Sequence, residues 1–196
     1  MSKNKKLGGV FKESLKIRQM SVRELCVMAM LVAITFGLSY ISGFLRIGNS
    51  IKFSISFISV YIGGAMFGPI AGGVIAALAD VISFLSNPTG PFVPIFTVME
   101  FVNGMLFGLF MFRPTADKRP MWHALVLIII CALLQFCVNM FWRTYELARM
   151  YYGGHFMPLF ISRIPTNVIL IVCKIAVVLL LEPYIPQLTK MIRKEK

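Results

Sequence analysis

Asp80, Glu100, Arg163 and Lys174 stand inside apolar runs long enough to cross a bilayer. Ionisable groups at membrane depth are costly, and they face a partner or a water-filled cavity. At about 1.5 Å of rise per residue, Asp80, Glu100 and Arg163 fall roughly 7–10 Å below one face of the membrane. They come from three different runs yet share one level, and Asn139 and Trp142 reach it from a fourth. Two readings are open at this point. Arg163 can pair with Asp80 or Glu100 and hold helices together, or the group lines a polar pocket that opens outward and binds a small solute. The pocket reading gains from the aromatic and proline-rich loops above that level. It gains also from Arg163, Asn167, Leu170 and Lys174, whose spacings of four, three and four place them on one helix face. Lys174 lies deeper, and snorkelling inward or pairing with Glu182 is the simpler account of it.

The elements that must position these groups follow from composition. Of 196 residues, 58% are hydrophobic and only 14% charged, with a mean hydropathy of +0.79. Soluble domains are nearer a quarter charged, so the chain reads as an all-α integral membrane protein. At about 20 apolar residues per span, its length holds six transmembrane helices and no soluble domain. The spans are expected over residues 25–44, 53–67, 70–85, 95–112, 122–142 and 157–181. A basic N-terminal segment, 1–24, precedes a membrane domain, 25–185, and a basic tail, 186–196, closes the chain. The N-terminal segment lacks a convincing cleavage site, so the first span is taken as retained.

The net charge of +12 is not spread like a nucleic-acid footprint. Seven basic residues fall in the first 23, Arg113, Lys118 and Arg119 in one internal loop, and Lys190, Arg193, Lys194 and Lys196 at the end. Those clusters flank spans as the positive-inside rule requires and suit an anionic inner leaflet. They make the N and C termini cytoplasmic, and the loops around residues 45–52, 87–94 and 143–156 outward-facing.

Several chemistries find no support. There is no G-x-x-x-x-G-K-[ST] loop for ATP, no H-E-x-x-H and no G-x-S-x-G. His123 and His155 have no plausible zinc partner, and Cys26, Cys131, Cys137 and Cys173 read as small buried hydrophobes. Small residues recur four apart instead: Ala29 and Ala33 with Gly37 next in line, then Gly72/Ala76 and Gly73/Ala77. Such spacing lets helix backbones approach closely within a membrane. For the second group internal packing is the preferred reading. For the first, a docking face for another membrane subunit is an equal alternative.

The run from "FLRIGNSIKFSISFISVYIGGAMFGPIAGG" through "ADVISFLSNPTGPFVPIFT" to "GLFMFR" resembles the substrate-binding S components of energy-coupling-factor (ECF) vitamin transporters. "MFGPIAGGVIAALAD" carries a pattern shared broadly among S components, and "PTGPFVPIFT", Pro88 to Thr97, is similar to the folate type in particular. The resemblance implies a six-helix vitamin-binding subunit of a bacterial cell membrane, with no cofactor and no ATPase motif of its own. It also implies two ATPase subunits and a transmembrane T subunit as partners, the last docking on Ala29 and Ala33.

For a folate ligand, Asp80 or Glu100 suits the pterin's amino and ring N–H edge. Phe57, Phe92, Phe96 and Trp142 suit stacking on its rings, and Arg163, Arg46 or Lys52 suit the glutamate carboxylates. Asn139 and Asn167 complete the polar lining. Pro88, Thr89, Gly90 and Pro91 read as a preorganised roof, since proline lowers the entropy lost on closure. The chain departs from the folate type in one place: Thr166 stands where a lysine is expected, after Pro165, which should kink or interrupt the helix. Arg143 is a candidate replacement for the missing charge. Otherwise another vitamin, pantothenate or riboflavin, becomes the ligand. From a different class, a small membrane enzyme using Asp80 and Glu100 as a carboxylate pair is the competing reading.

Overall fold

A computed structural model describes residues 21–44, 46–47, 51–52, 55–86, 92–112, 120–151 and 156–192. The chain forms α1 (Val22–Phe44), a two-residue antiparallel ladder of β1 (Arg46–Ile47) and β2 (Ile51–Lys52), then α2 (Phe57–Phe67) and α3 (Pro69–Ser86). After these come α4 (Pro94–Met111) and α5 (Met121–Cys137), which runs through a π-helical segment, Val138–Arg143, into α6 (Thr144–Tyr151). The last long helix, α7 (Phe156–Leu181), turns through a 3₁₀ step, Glu182–Tyr184, into α8 (Ile185–Ile192).

Local chemistry sets the joints. Gly68 takes φ 99°, a left-handed conformation open to glycine, and its N–H returns to the Gly64 carbonyl at 3.0 Å to end α2. Pro69 then opens α3, and Pro94 opens α4 behind an extended Val93. In both helices the proline occupies a position whose N–H would have no partner.

Four helical stretches are long and apolar enough to cross a membrane: Val22–Ile41, Pro94–Met111, Met121–Met150 and Phe156–Ile192. Phe57–Phe67 and Pro69–Leu85 are shorter apolar helices. At 11 residues, α2 covers only about half of a bilayer core of about 30 Å. The bundle turns apolar side chains outward all round, among them Leu25, Met30, Leu133, Ile161, Val172 and Leu180. That is the surface of a multi-pass membrane protein.

Where the helices meet, glycine makes the contact. A Cβ added to Gly72 of α3 would lie 2.6 Å from the Gly104 carbonyl oxygen of α4 and 2.9 Å from the Gly64 Cα of α2. One added to Gly104 would collide with the Gly72 carbonyl, and one added to Gly108 with Pro69. The spacing of Gly72 and Ala76 thus serves internal packing, as preferred from sequence. The face of α1 is different: Ala29 and Ala33 are exposed, and a Cβ on Gly37 would meet nothing within 4 Å.

Two expectations change. The stretch after residue 142 is not simply an outer loop, because helix continues to Tyr151; the π segment accommodates the change of face without breaking the backbone ladder. Pro165 does not interrupt its helix, which runs unbroken from Phe156 to Leu181. A proline in a lipid-embedded helix is tolerated where local adjustment satisfies the freed carbonyl.

Candidate functional site

Polar side chains converge on one layer where α3, α4 and the π segment meet. On α4, Glu100 and Asn103 lie three apart and so share a face. The Glu100 carboxylate accepts a hydrogen bond from Arg143 at 2.6 Å, an ion pair between side chains about one-third exposed. The Asn103 carbonyl accepts from the buried Gln135 amide at 3.1 Å, and its side-chain oxygen accepts from Asn139 at 3.4 Å. Asn139 also donates to the Gln135 carbonyl at 2.7 Å, and Thr144 donates to the Asn139 carbonyl at 3.3 Å. From α3, Asp80 accepts from the Thr97 hydroxyl at 2.8 Å.

The π segment explains how α5 contributes so much. A six-residue wide turn holds Asn139, Trp142 and Arg143 together. The extra residue in the turn brings Arg143 and Asn139 both onto α4, and π turns concentrate at functional sites for this reason. The guanidinium of Arg143 also lies 5.8 Å from the ring centroid of Phe96. Two aromatic pairs start from α3 and the π segment: Phe84 with Phe92 at 5.0 Å between centroids, and Phe141 with Phe160 at 5.6 Å. Trp142 is 37% exposed.

The alternative of an Arg163 ion pair with Asp80 or Glu100 is not what forms. Glu100 is taken by Arg143 and Asp80 by Thr97. Arg163 is partly buried one turn before Asn167, whose amide donates to the Arg163 carbonyl at 2.8 Å. Nor does Glu182 pair with Lys174. Glu182 is buried and accepts from the hydroxyl of Tyr61, a residue fully enclosed in the core. Lys174 instead points its amine over the Phe57 ring, 5.7 Å from the centroid.

Among the expected ligand-facing residues, Glu100 and Asn139 both bond within this layer, Asp80 is held by Thr97, Phe96 lies under Arg143, Phe57 lies under Lys174, and Phe92 packs on Phe84. Arg46 stands opposite Lys52 in the β1–β2 ladder. Pro88, Thr89, Gly90 and Pro91 lie outside the described residues. Sequence reasoning did not single out Thr97, Asn103 or Gln135 for the site. Asn103 and Gln135 were visible as amides in otherwise apolar runs, and Thr97 lay within the stretch quoted for its prolines. Among the described residues, no group of His, Cys, Asp and Glu could hold a metal ion.

Comparison with known proteins gives four findings. A family model described as the ECF transporter, substrate-specific component, matches residues 23–182. The folate transporter FolT of Clostridium novyi (strain NT) is 32% identical over 93 residues, an alignment spanning 47% of this chain and 52% of that protein. The folate transporter FolT of Streptococcus mutans serotype c is 28% identical over 182 residues, 90% of this chain and 95% of that protein. A crystal structure of FolT bound with folic acid shares the fold, with a TM-score of 0.65 over 88% of this chain and 98% of that one at 21% identity.

Proposed function

The chain belongs to the substrate-specific components of ECF transporters, and from that premise we propose that it binds folate at the outer side of a bacterial plasma membrane for ATP-driven uptake. The observation that carries this reading is the polar layer of Asp80, Thr97, Glu100, Arg143, Asn103, Gln135 and Asn139 inside an otherwise apolar bundle. Its similarity to folate transporters along nearly its whole length selects the ligand.

In this reading the chain crosses the membrane six times with both termini in the cytoplasm, as its basic clusters require. It is not an enzyme: a T subunit and two ATPases supply the work. Ala29, Ala33 and Gly37 form the docking face for the T subunit, supported by their exposure and by the empty space over Gly37.

The assignment of roles follows from who is already engaged. Glu100 is neutralised by Arg143, which leaves Asp80, steadied by Thr97, to read the amino and ring N–H edge of the pterin. Phe57, Phe96 and Trp142 offer faces for its rings. Arg163, Arg46 and Lys52 are the cations assigned to the glutamate carboxylates.

The test is to purify the protein alone in detergent, denature it and identify any released small molecule by mass spectrometry. Release of a folate in near-stoichiometric amount is the expected result. Release of a different vitamin would overturn the ligand while keeping the importer. Turnover of the bound molecule into a product would revive the carboxylate-pair enzyme.

A further inference from the structure

The hydroxyl oxygen of Ser83 on α3 is buried, and among the described residues it has no hydrogen-bond partner. Other hydroxyls in these helices are satisfied by their own backbone. Thr35 donates to the Leu31 carbonyl at 2.6 Å, Thr189 to that of Ile185 at 2.8 Å and Ser162 to that of Leu159 at 2.9 Å. Bonding back to the preceding turn is the ordinary recourse of a serine or threonine inside a helix, and the lipid side offers no water in its stead. Ser83 does not take it, so a desolvated donor and acceptor stay unused. A buried polar group left in this state requires an explanation.

Its place on the helix supplies one. At about 100° per residue α3 has two sides. Leu78, Ile82 and Leu85 are exposed and form the outer stripe. Asp80, Ser83 and Phe84 lie opposite, on the side that turns Ala76 into the core and Gly73 onto Phe101 of α4. Ser83 stands three residues beyond Asp80, which puts their Cβ atoms about 5–6 Å apart. Asp80 is fixed by the Thr97 hydroxyl at 2.8 Å, and Phe84 packs on Phe92 at 5.0 Å between centroids. One side of α3 therefore presents a positioned carboxylate and, one turn further, a hydroxyl able to donate and to accept. That sequence suits a flat heterocycle whose donor edge is bordered by an acceptor. The edge of an oxidised pterin is built this way, with an amino group and a ring N–H followed by a carbonyl oxygen.

We propose that Ser83 is a ligand-binding residue, its hydroxyl donating to the ring acceptor that borders the edge read by Asp80. This rests on the reading of the site as a folate site. It places ring recognition on two residues of one helix face. It also places the cost of the contact in the ligand-free protein, where the hydroxyl has no partner.

Ser83→Ala separates this role from a structural one. The experiment measures the melting of the ligand-free protein and, by calorimetric titration, its affinity for folic acid and for pteroic acid, which keeps the ring system and lacks the glutamate. S83A should melt at or above wild type, since it removes a desolvated group and gains helix propensity. It should bind both molecules about 3- to 10-fold more weakly, the worth of one neutral hydrogen bond. Unchanged affinity for both would overturn the proposal. A lower Tm would overturn it too, by showing that the hydroxyl is satisfied within the fold. A loss confined to folic acid would overturn the ring contact and move Ser83 to the glutamate. If wild type binds neither molecule, the folate reading itself falls.

Discussion

Adding a single methyl group to Gly72 tests the packing that positions the site. In Gly72→Ala the new Cβ would sit 2.6 Å from the Gly104 carbonyl oxygen and 2.9 Å from the Gly64 Cα, where ordinary contact is 3.4–4 Å. Both neighbours are backbone, so neither can rotate away; α3 and α4 must separate by about 0.8 Å, and overpacking of this kind costs about 1–3 kcal/mol. The helix-propensity gain of alanine over glycine returns up to about 1 kcal/mol. The net loss against wild type is about 0–3 kcal/mol, and against a glycine-to-alanine control with the same propensity gain it is the full cost of about 1–3 kcal/mol, roughly 2–12 °C in Tm for a chain of this length. Gly37→Ala is the matched control. Nothing lies within 4 Å of its added Cβ, so it should melt at or slightly above wild type. Cys131 is 1% exposed, and a thiol-reactive dye on a chain with Cys26, Cys137 and Cys173 replaced by serine reports the loss of core packing on heating. Equal melting of G72A and G37A would refute the argument that the α3–α4 seam is closed backbone to backbone.

Four further outcomes follow from the structure. Tyr61→Phe removes a buried hydrogen bond to the Glu182 carboxylate and should cost about 1.5–3 kcal/mol, seen as a lower Tm in the same dye assay with folate affinity unchanged. Asp80→Asn should weaken folate binding by about tenfold or more in a titration, since a carboxylate accepts more strongly than an amide; wild-type affinity would remove Asp80 from the pterin edge. Glu100→Gln and Arg143→Met should each weaken binding, yet the double variant should lose less than the sum, because the two groups act as a pair; strict additivity in this cycle would contradict it. Ala29→Leu with Ala33→Leu should leave binding by the isolated protein intact while abolishing uptake in cells that hold the transport partners, and retained uptake would move the docking face elsewhere.

The broad fold was legible because hydropathy and punctuation agree. Gly68-Pro69 and Pro94 mark helix ends by backbone chemistry that no packing can override, and the small-residue repeat through Gly72 predicted a close contact that the structure places against α4. What stayed hidden depends on rotation about helix axes. Depth counting put Asp80, Glu100 and Arg163 at one level, but level does not fix azimuth, and Glu100 meets Arg143 instead. No local signal announces a π turn at Val138–Arg143, so Arg143 read as an outer-loop charge although Asn139 and Trp142 were chosen from the same turn. Lys174 was read as snorkelling inward or pairing with Glu182, and Glu182 is engaged by Tyr61 instead. A start to α2 at Phe57, later than hydropathy indicated, brings an aromatic face to the level of its amine.

The glycine seam has a mechanical consequence. With backbones in contact at Gly64, Gly72, Gly104 and Gly108, α2, α3 and α4 resist shear as a single plate. On the other flank, all 26 residues of α7 are described and Val178 alone among them is buried. That helix rides on the plate with its weight in the lipid, and it carries Arg163, Asn167 and Lys174. The polar layer therefore runs along the border between a stiff body and a compliant one. Bending on the compliant side disturbs less packing than parting the plate, and it leaves the spacing of the acids on the plate unchanged.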